Sequence, residues 1–263
     1  MLMDSIPVIG APVVTNPYWV HRLIMSVDYP VDEFVIINNN GRGEIDEELD
    51  KLKLLSHRFI KKIKVVHMPA NIGCAGAWNL IIKSYMMAPY WIIVNDDVAF
   101  NSGLLKEMVE IVNNDPVVGM IHPNAGDFDL GSWDLFLMRD IIVKDFGLFD
   151  ENTYPAYCED ADYLMRFAHR PIKKVVGLNH SYMHGDGDGK DYYEAGSQTR
   201  KSNKDLEEKL LLANELNIDY LTEKWGEGWR NMVPSYIPYE NQNIPITYTK
   251  YDLDFVRKKH TGF

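Results

Sequence analysis

Tyr90-Trp91-Ile92-Ile93-Val94 runs directly into Asn95-Asp96-Asp97. A short apolar, β-branched run of this kind reads as a strand covered on both faces. Its end places two adjacent carboxylates at the carboxyl edge of a sheet, where open α/β folds bind ligands. Two such groups repel unless something positive lies between them. A hard divalent cation that also holds a diphosphate meets that need. The plainer alternative is a strand followed by a helix. Asn101-Ser102 offers that helix its own cap, so Asp96 and Asp97 are not required for capping.

Outward from this run, strands and helices alternate. Ile6–Ile9, Phe34–Ile37 and Ile63–His67 read as strands. Asn16-Pro17 opens a helix to about Val27, Glu44–Leu55 has helical periodicity, and a third helix covers about Ala75–Met86 before Ala88-Pro89 stops it. A helix over Ser102–Asn113 follows the diacid. The pattern predicts an α/β fold with a mostly parallel central sheet flanked by helices. Further on, Val117–His122 and Lys173–Leu178 read as strands, and Gly131–Met138 alternates as a sheet-pairing segment. Asp140–Phe146 and Glu159–His169 read as helices, and Met183–Asp191 as irregular chain. After about Asn203 the character changes. Asp205–Asn217 and Asp219–Trp229 read as two helices, the first with an apolar stripe through Leu206, Leu210, Ala213 and Leu216 that must bury against the main domain or a second copy of the chain. Pro234–Thr249, rich in Pro, Tyr and Asn, reads as an extended arm. The expected division is a domain over 1–202, in halves of about 1–100 and 101–202, and a helical extension with an arm over 203–263.

Composition narrows the function. With 263 residues, 46% hydrophobic, the chain can build one large core. A net charge of −11 argues against nucleic acid as a partner, because phosphate contacts need a basic face. An acidic protein that handles a phosphorylated ligand must recruit a cation. Cys74 and Cys158 stand far apart, make no zinc motif and suit a reducing compartment. Neither a signal peptide nor a membrane span is read, and a cytoplasmic location is expected.

Four clusters carry the chemistry: Asn38-Asn39-Asn40-Gly41 at a strand end, Asn71-Ile72-Gly73-Cys74-Ala75-Gly76-Ala77-Trp78-Asn79, Asn95-Asp96-Asp97, and Tyr157-Cys158-Glu159-Asp160-Ala161-Asp162-Tyr163-Leu164-Met165-Arg166. In this order and spacing they resemble the GT-A glycosyltransferases of family two. The family's usual elements are Asp-Asn or Asp-Asp at a strand end, N-x-G-x-A-x-A-x-N, a D-x-D variant and an E-D-x-D helix. Gly147-Leu148-Phe149-Asp150-Glu151 is similar to its G-x-F-D-E turn, and Ile6–Gly10 to its first strand. The likeness spans about Ile6 to His184. Asn38 and Asn95 stand where the family usually has Asp. The Asn-Asp-Asp and Glu-Asp-x-Asp style is shared with bacterial rhamnosyltransferases. Ile36–Gly43 is similar to glycosyltransferases encoded by large DNA viruses of algae, whose site of action would be the host cytoplasm.

The resemblance implies roles. Pro7, Val8, Ile9, Asn38, Asn39, Asn71, Gly73, Asn79, Asn95 and Asp96 are the donor-binding candidates. Asp97 is the metal ligand, joined by His184, with Mn²⁺ or Mg²⁺ as the ion. Asp160 is the general base that takes the acceptor's proton, with Glu159 beside it. Trp133 and Asp162 are acceptor-side candidates, and Lys190, Arg200 and Lys201 candidate partners of the leaving diphosphate. Each has a plainer reading. Asn40-Gly41 makes a turn, Asn71 and the small residues cap and pack a helix, and the acids of Glu159–Asp162 favour a helix dipole. A lone His is commonly structural, Trp133 a core residue, and the basic residues a solvated surface. The expected partners are a UDP-, GDP- or dTDP-sugar, a glycan acceptor and a second copy of the chain. Two other functions stay open: a nucleotidyltransferase making the activated sugar, and a non-catalytic carbohydrate-binding protein on the same scaffold. Gly10–Val14 lacks the basic loop expected of the former.

Overall fold

The computed structural model describes residues 4–123, 133–169, 174–185, 198, 201, 204–231 and 233. The chain forms two compact units, each assembled from separate stretches: 1–71 with 88–139 and 173–204, and 72–87 with 140–172 and 205–263.

The first unit is built on a seven-stranded sheet. Its strands are β1 (Ile6–Val13), β2 (Val31–Asn38), β3 (Ile60–His67), β4 (Tyr90–Val94), β6 (Val118–Pro123), β7 (Leu135–Arg139) and β8 (Lys174–Leu178), in the order β3-β2-β1-β4-β7-β6-β8. Only β7 runs against its neighbours. Two short strands, β5 (Val98–Phe100) and β9 (Tyr182–His184), pair antiparallel beside it. Every residue of β4 is buried, as a central strand with both faces covered requires. Helices α1 (Pro17–Met25), α2 (Asp46–Leu52) and α4 (Leu104–Asn114) bring Val20, Leu23, Ile24, Leu49, Met108 and Val109 into one apolar core with the strands. The Asn16 side chain caps α1 by accepting the Tyr18 amide, with Pro17 at the first turn.

The second unit is helical: α3 (Gly73–Ser84), α5 (Asp140–Phe146), α6 (Glu159–His169) and α7 (Lys204–Trp225), followed by a 3-10 turn at Glu227–Asn231. Trp78, Phe149, Tyr163, Phe167 and Phe146 stack edge-on or tilted in series, and Met165, Leu221, Trp225 and Trp229 form a second apolar cluster.

Several expectations change. β1 continues to Val13 because Pro12 and Val13 stay in register with Ile37 and Asn38 of β2. Asn101-Ser102 does not cap α4. Gly103, at φ +85°, starts it, and its amide donates to Asp28 Oδ2 at 2.7 Å. Met183 and His184 lie in β9 rather than in irregular chain, whereas 186–191 fall outside the described residues. The two C-terminal helices are one, unbroken through Ile218. Its buried face runs through Leu210, Asn217, Leu221, Lys224 and Trp225, while Leu216 is 61% exposed. The stripe read from apolar residues alone was rotated, because the face that packs carries an amide and an ammonium. The arm at 234–249 lies outside the described residues.

Candidate functional site

In the first unit, Asn95-Asp96-Asp97 forms the tight turn between β4 and β5. The Asn95 amide donates to the Asp134 carbonyl at 2.7 Å, continuing the β4–β7 pairing by one step. The Asp97 carbonyl accepts the Gly185 amide (2.8 Å) and the Arg22 guanidinium (2.7 Å), which also donates to the Gly185 carbonyl at 2.5 Å. Arg22 therefore ties the acidic turn to the chain leaving β9. Asp97 is 1% exposed. Its Oδ2 accepts the Gln198 amide at 2.7 Å, and its Oδ1 lies 3.2 Å from His184 Nε2. The other His184 ring nitrogen, Nδ1, lies 3.3 Å from Asp134 Oδ2, which also accepts the Tyr182 hydroxyl at 2.8 Å. Burial works to lower the His184 pKa, but Asp97 and Asp134 outweigh it and raise it. Burial raises the pKa of Asp134, and the like charge of Asp97 adds to this.

This row fits a hard divalent cation. Carboxylate oxygen and imidazole nitrogen are suitable donors. Adjacent ligands of an octahedral ion with bonds of about 2.1 Å are about 3 Å apart, close to the 3.2 Å between Asp97 Oδ1 and His184 Nε2. A second carboxylate behind the imidazole is the usual support for a metal-bound histidine. Among the described residues, no set of three or more His, Cys, Asp or Glu side chains is arranged to hold an ion unaided. An ion held by Asp97 and His184 would take its remaining donors from a ligand or from water.

The loop after β2 is held from within. Asn38 is buried, and its amide nitrogen reaches Asp46 Oδ1 (2.5 Å) and His67 Nδ1 (2.9 Å), while its oxygen accepts the Asn40 amide. His67 Nε2 in turn lies 2.8 Å from Asp50 Oδ1. Asn38 thus orders the loop with its side chain. The Asn39 amide donates to the Val13 carbonyl, and the Asn40 side chain to the Val14 carbonyl. Gly41, at φ +69°, fits against the backbone of Ala70 and Asn71, where a Cβ would come within 2.7 Å of the Ala70 Cα. Asn71 is half-buried beside it. Because β1 extends to Val13, its carboxyl end is Val13, with Val14-Thr15 following. Val8 and Ile9 are fully buried in mid-strand, and Pro7 precedes them, so these three lie away from the carboxyl end of β1. Trp133 is 7% exposed and packs edge-on against His122 and Phe136 at 5.1 Å each, as a core aromatic rather than a sugar platform.

In the second unit, Asn79 and the Gly147–Glu151 turn explain each other. Asn79 accepts the Phe149 amide and donates to the Phe149 carbonyl, 2.9 Å each, and to Glu151 Oε1 at 2.8 Å. Both ends of its amide are occupied in clasping this turn, which replaces the donor contact expected of it. Gly73 starts α3 at φ +78° against Tyr154 and Pro155, and the next amide, of Cys74, donates to the Pro155 carbonyl. Asp162 is fully buried. Its oxygens bind Arg166 (2.5 Å), Trp225 Nε1 (2.8 Å) and Lys224 Nζ (2.8 Å), and Lys224 also pairs with the buried Asp150 at 2.6 Å. Asp162 is therefore an anchor for the C-terminal helix, in place of the acceptor role expected.

Glu159 and Asp160 open α6 directly after two non-glycine residues in left-handed conformation, Tyr157 (φ 74°) and Cys158 (φ 73°). Such consecutive residues persist only where surroundings hold them. Asn217 of α7 does this by donating to the carbonyls of Ala156 and Tyr157, 3.0 Å each. Burial, and then the charge of Asp160, push Glu159 up to about 8, and its Oε2 is buried with no hydrogen-bond partner. Burial also raises Asp160, whose Oδ1 accepts the Ala161 amide at 2.7 Å. Burial and both carboxylates push the Cys74 thiol well above its usual value.

Arg22, Asp134 and Asn217 were not read from sequence. Asp134 carries a weak signal, an acid at the start of a strand. Arg22 and Asn217 are single polar residues on helices, whose partners lie far along the chain. Lys190 and Arg200 fall outside the described residues, and Lys201 is exposed.

A mostly parallel sheet with one reversed strand and an acidic turn at the edge of β4 defines an α/β protein of the GT-A type. The pattern of Glycosyl transferase family 2 matches residues 18–164, more than half the chain, and the chain belongs to that family. A galactofuranosyl glycosyltransferase of Leishmania donovani is 22% identical over 68% of this chain and 56% of its own length, so the chain spans little more than half of that relative. Among solved structures, GalNAc-T7 with UDP, GalNAc and Mn²⁺ is similar with a TM-score of 0.61 and 14% identity, over 99% of this chain and 55% of that one. The mannosyltransferase PcManGT of Pyrobaculum calidifontis, in complex with GDP-Man and Mn²⁺, gives 0.52 and 13% over 67% and 55%. S. aureus TarS gives 0.52 and 13% over 86% and 74%. At these identities the structural likenesses establish the shared fold. No helix among the described residues is long and apolar enough to cross a membrane.

Proposed function

We propose that the chain is a divalent-metal-dependent glycosyltransferase that moves a sugar from a nucleotide-diphosphate donor to a hydroxyl of a glycan acceptor, with inversion. The observation that carries the reading is the Asp97–His184–Asp134 row beside the end of β4. Asp97 and His184 are the residues that would hold Mn²⁺ or Mg²⁺. When bound, the ion supplies positive charge to the departing diphosphate. Asn39, Asn71, Asn95 and Asp96 are the donor-side residues, with Asn38 holding the loop of Asn39, and Gly73 at the start of α3 is a further donor-side candidate.

Asp160 takes the proton from the acceptor hydroxyl as the new C–O bond forms. The pair of acids supports that assignment. Burial and the charge of Asp160 hold the proton on Glu159 to about pH 8, so Asp160, whose Oδ1 accepts the Ala161 amide, is the acid of the pair that ionises first. A carboxylate whose pKa is raised by burial is also a better proton acceptor than a solvated one. The rhamnosyltransferase-like and algal-virus likenesses are readings of the motifs alone, so rhamnose is one sugar among those to be tried.

A thermal-shift screen of UDP-, GDP- and dTDP-sugars with and without Mn²⁺ tests the reading, since a ligand that binds the native state raises apparent stability. A shift with one nucleotide class that needs the metal, together with slow release of free sugar, is expected. Metal-dependent binding with no sugar release would make the chain a carbohydrate-binding protein, and no binding at all would remove the donor site.

A further inference from the structure

Asp134 directly precedes β7, outside every motif quoted above, yet it touches the metal row twice. Its carbonyl receives the Asn95 amide, which fixes the start of the acidic turn. Its side chain, 3% exposed, faces β9. Tyr182 and His184 are two residues apart on that strand and so point to the same side. Both meet the same oxygen: the Tyr182 hydroxyl donates to Asp134 Oδ2 at 2.8 Å, and His184 Nδ1 lies 3.3 Å from it.

A carboxylate oxygen only accepts. A neutral imidazole carries one N–H, and the two ends of His184 face different carboxylates. If the proton sat on Nε2, the Nδ1 lone pair would face Asp134. If it sits on Nδ1, the proton faces Asp134 and the Nε2 lone pair is presented to Asp97. His184 and Asp97 are each about 2% exposed at the side chain, so solvent does little to decide between the two arrangements.

Resting on the metal reading of Asp97 and His184, we infer that Asp134 is a positioning residue that holds His184 as the Nδ1–H tautomer, so that the Nε2 lone pair, on the Asp97 side, can ligate a divalent cation. Asp134 then acts through His184 and does not itself touch the ion. The arrangement makes metal affinity depend on a residue outside the acidic turn, as is usual for carboxylates behind metal-bound imidazoles.

The test uses the full chain labelled with ¹⁵N-histidine. Long-range ¹H–¹⁵N spectra of the metal-free protein at alkaline pH identify which nitrogen of His184 is protonated. The Nδ1–H form is expected, and Asp134→Ala is expected to abolish its dominance while Tyr182→Phe keeps it. Separately, Mn²⁺ titrated with UDP present and followed by EPR should bind about 10- to 100-fold more weakly to Asp134→Ala. An Nε2–H tautomer in the unsubstituted protein overturns the inference without any variant having to fold. Unchanged Mn²⁺ affinity in Asp134→Ala, while Asp97→Asn and His184→Ala both lose it, also overturns it and leaves the metal reading intact. If none of the three substitutions weakens Mn²⁺, the metal reading itself fails and this inference falls with it.

Discussion

Asn217 donates its side-chain amide to the Tyr157 carbonyl at 3.0 Å, and the same amide reaches the Ala156 carbonyl. A helix from the last part of the chain thereby holds the left-handed pair Tyr157-Cys158 that delivers Glu159 and Asp160 to the start of α6. Replacing Asn217 by Ala leaves two carbonyls without this donor, at a cost of about 1–3 kcal/mol. We expect a lower urea midpoint and slower donor hydrolysis, with Mn²⁺-dependent nucleotide binding retained. Unchanged hydrolysis in Asn217→Ala would show that the loop keeps its conformation unaided.

The acidic turn gives a second prediction. Asp97→Asn removes one charge at a buried position while keeping a group that can accept the Gln198 amide. Mn²⁺-dependent binding of the nucleotide sugar should weaken by about tenfold or more, with little change in melting temperature. Calorimetry with and without the metal measures it, and equal affinities would remove Asp97 from the metal site.

The two acids at the head of α6 should separate by substitution. Asp160→Asn should lower sugar transfer about 100-fold or more with donor binding intact, because an amide cannot take the proton. Glu159→Gln should cost far less at neutral pH, since the protonated carboxyl it replaces is also uncharged. Near-native transfer by Asp160→Asn would pass the role to Glu159.

Glu159 also sets a pH dependence of stability. Its folded value, about 8, lies above the ordinary 4.5. Folding therefore favours the protonated form. The contribution is fully present below about pH 4.5 and declines between there and about pH 8, as the unfolded chain releases a proton that the folded chain keeps. The gap in urea midpoint between the native chain and Glu159→Gln should move against the native chain from acid to alkaline pH. A constant gap would mean that Glu159 titrates normally.

Lys224 is enclosed by Asp150 and Asp162, with Nζ 2.6 Å and 2.8 Å from their oxygens. Lys224→Met leaves two buried carboxylates without their shared cation, a loss of about 3–5 kcal/mol. Added salt should restore little of it, because a buried pair is weakly screened. A change within 0.5 kcal/mol in chemical denaturation, a size typical of an exposed surface residue, would show that the network reorganises.

Local pattern alone determined the α/β class and the extent of several elements. Tyr90–Val94 read as a central strand because it is short, wholly aromatic or β-branched and carries no charge, and Asp140–Phe146 and Glu159–His169 form the helices their periodicity predicts. Chain order also placed the acidic turn at a strand end and the two acids at a helix start. Tertiary structure decided which polar groups meet. Asn79 clasps Phe149, and Asp162 receives Lys224 and Trp225 from α7; a polar residue in a motif looks alike whether it awaits a ligand or a distant part of its own chain. The rotated face of α7 has the same cause. Asn217 and Lys224 are polar by composition and buried by partnership, and partners 60 and 74 residues away leave no periodic trace. Asp134 showed only as an acid at the start of a strand, because its meeting with His184 arises only when the start of β7 and β9 bring one carboxylate and one imidazole to 3.3 Å.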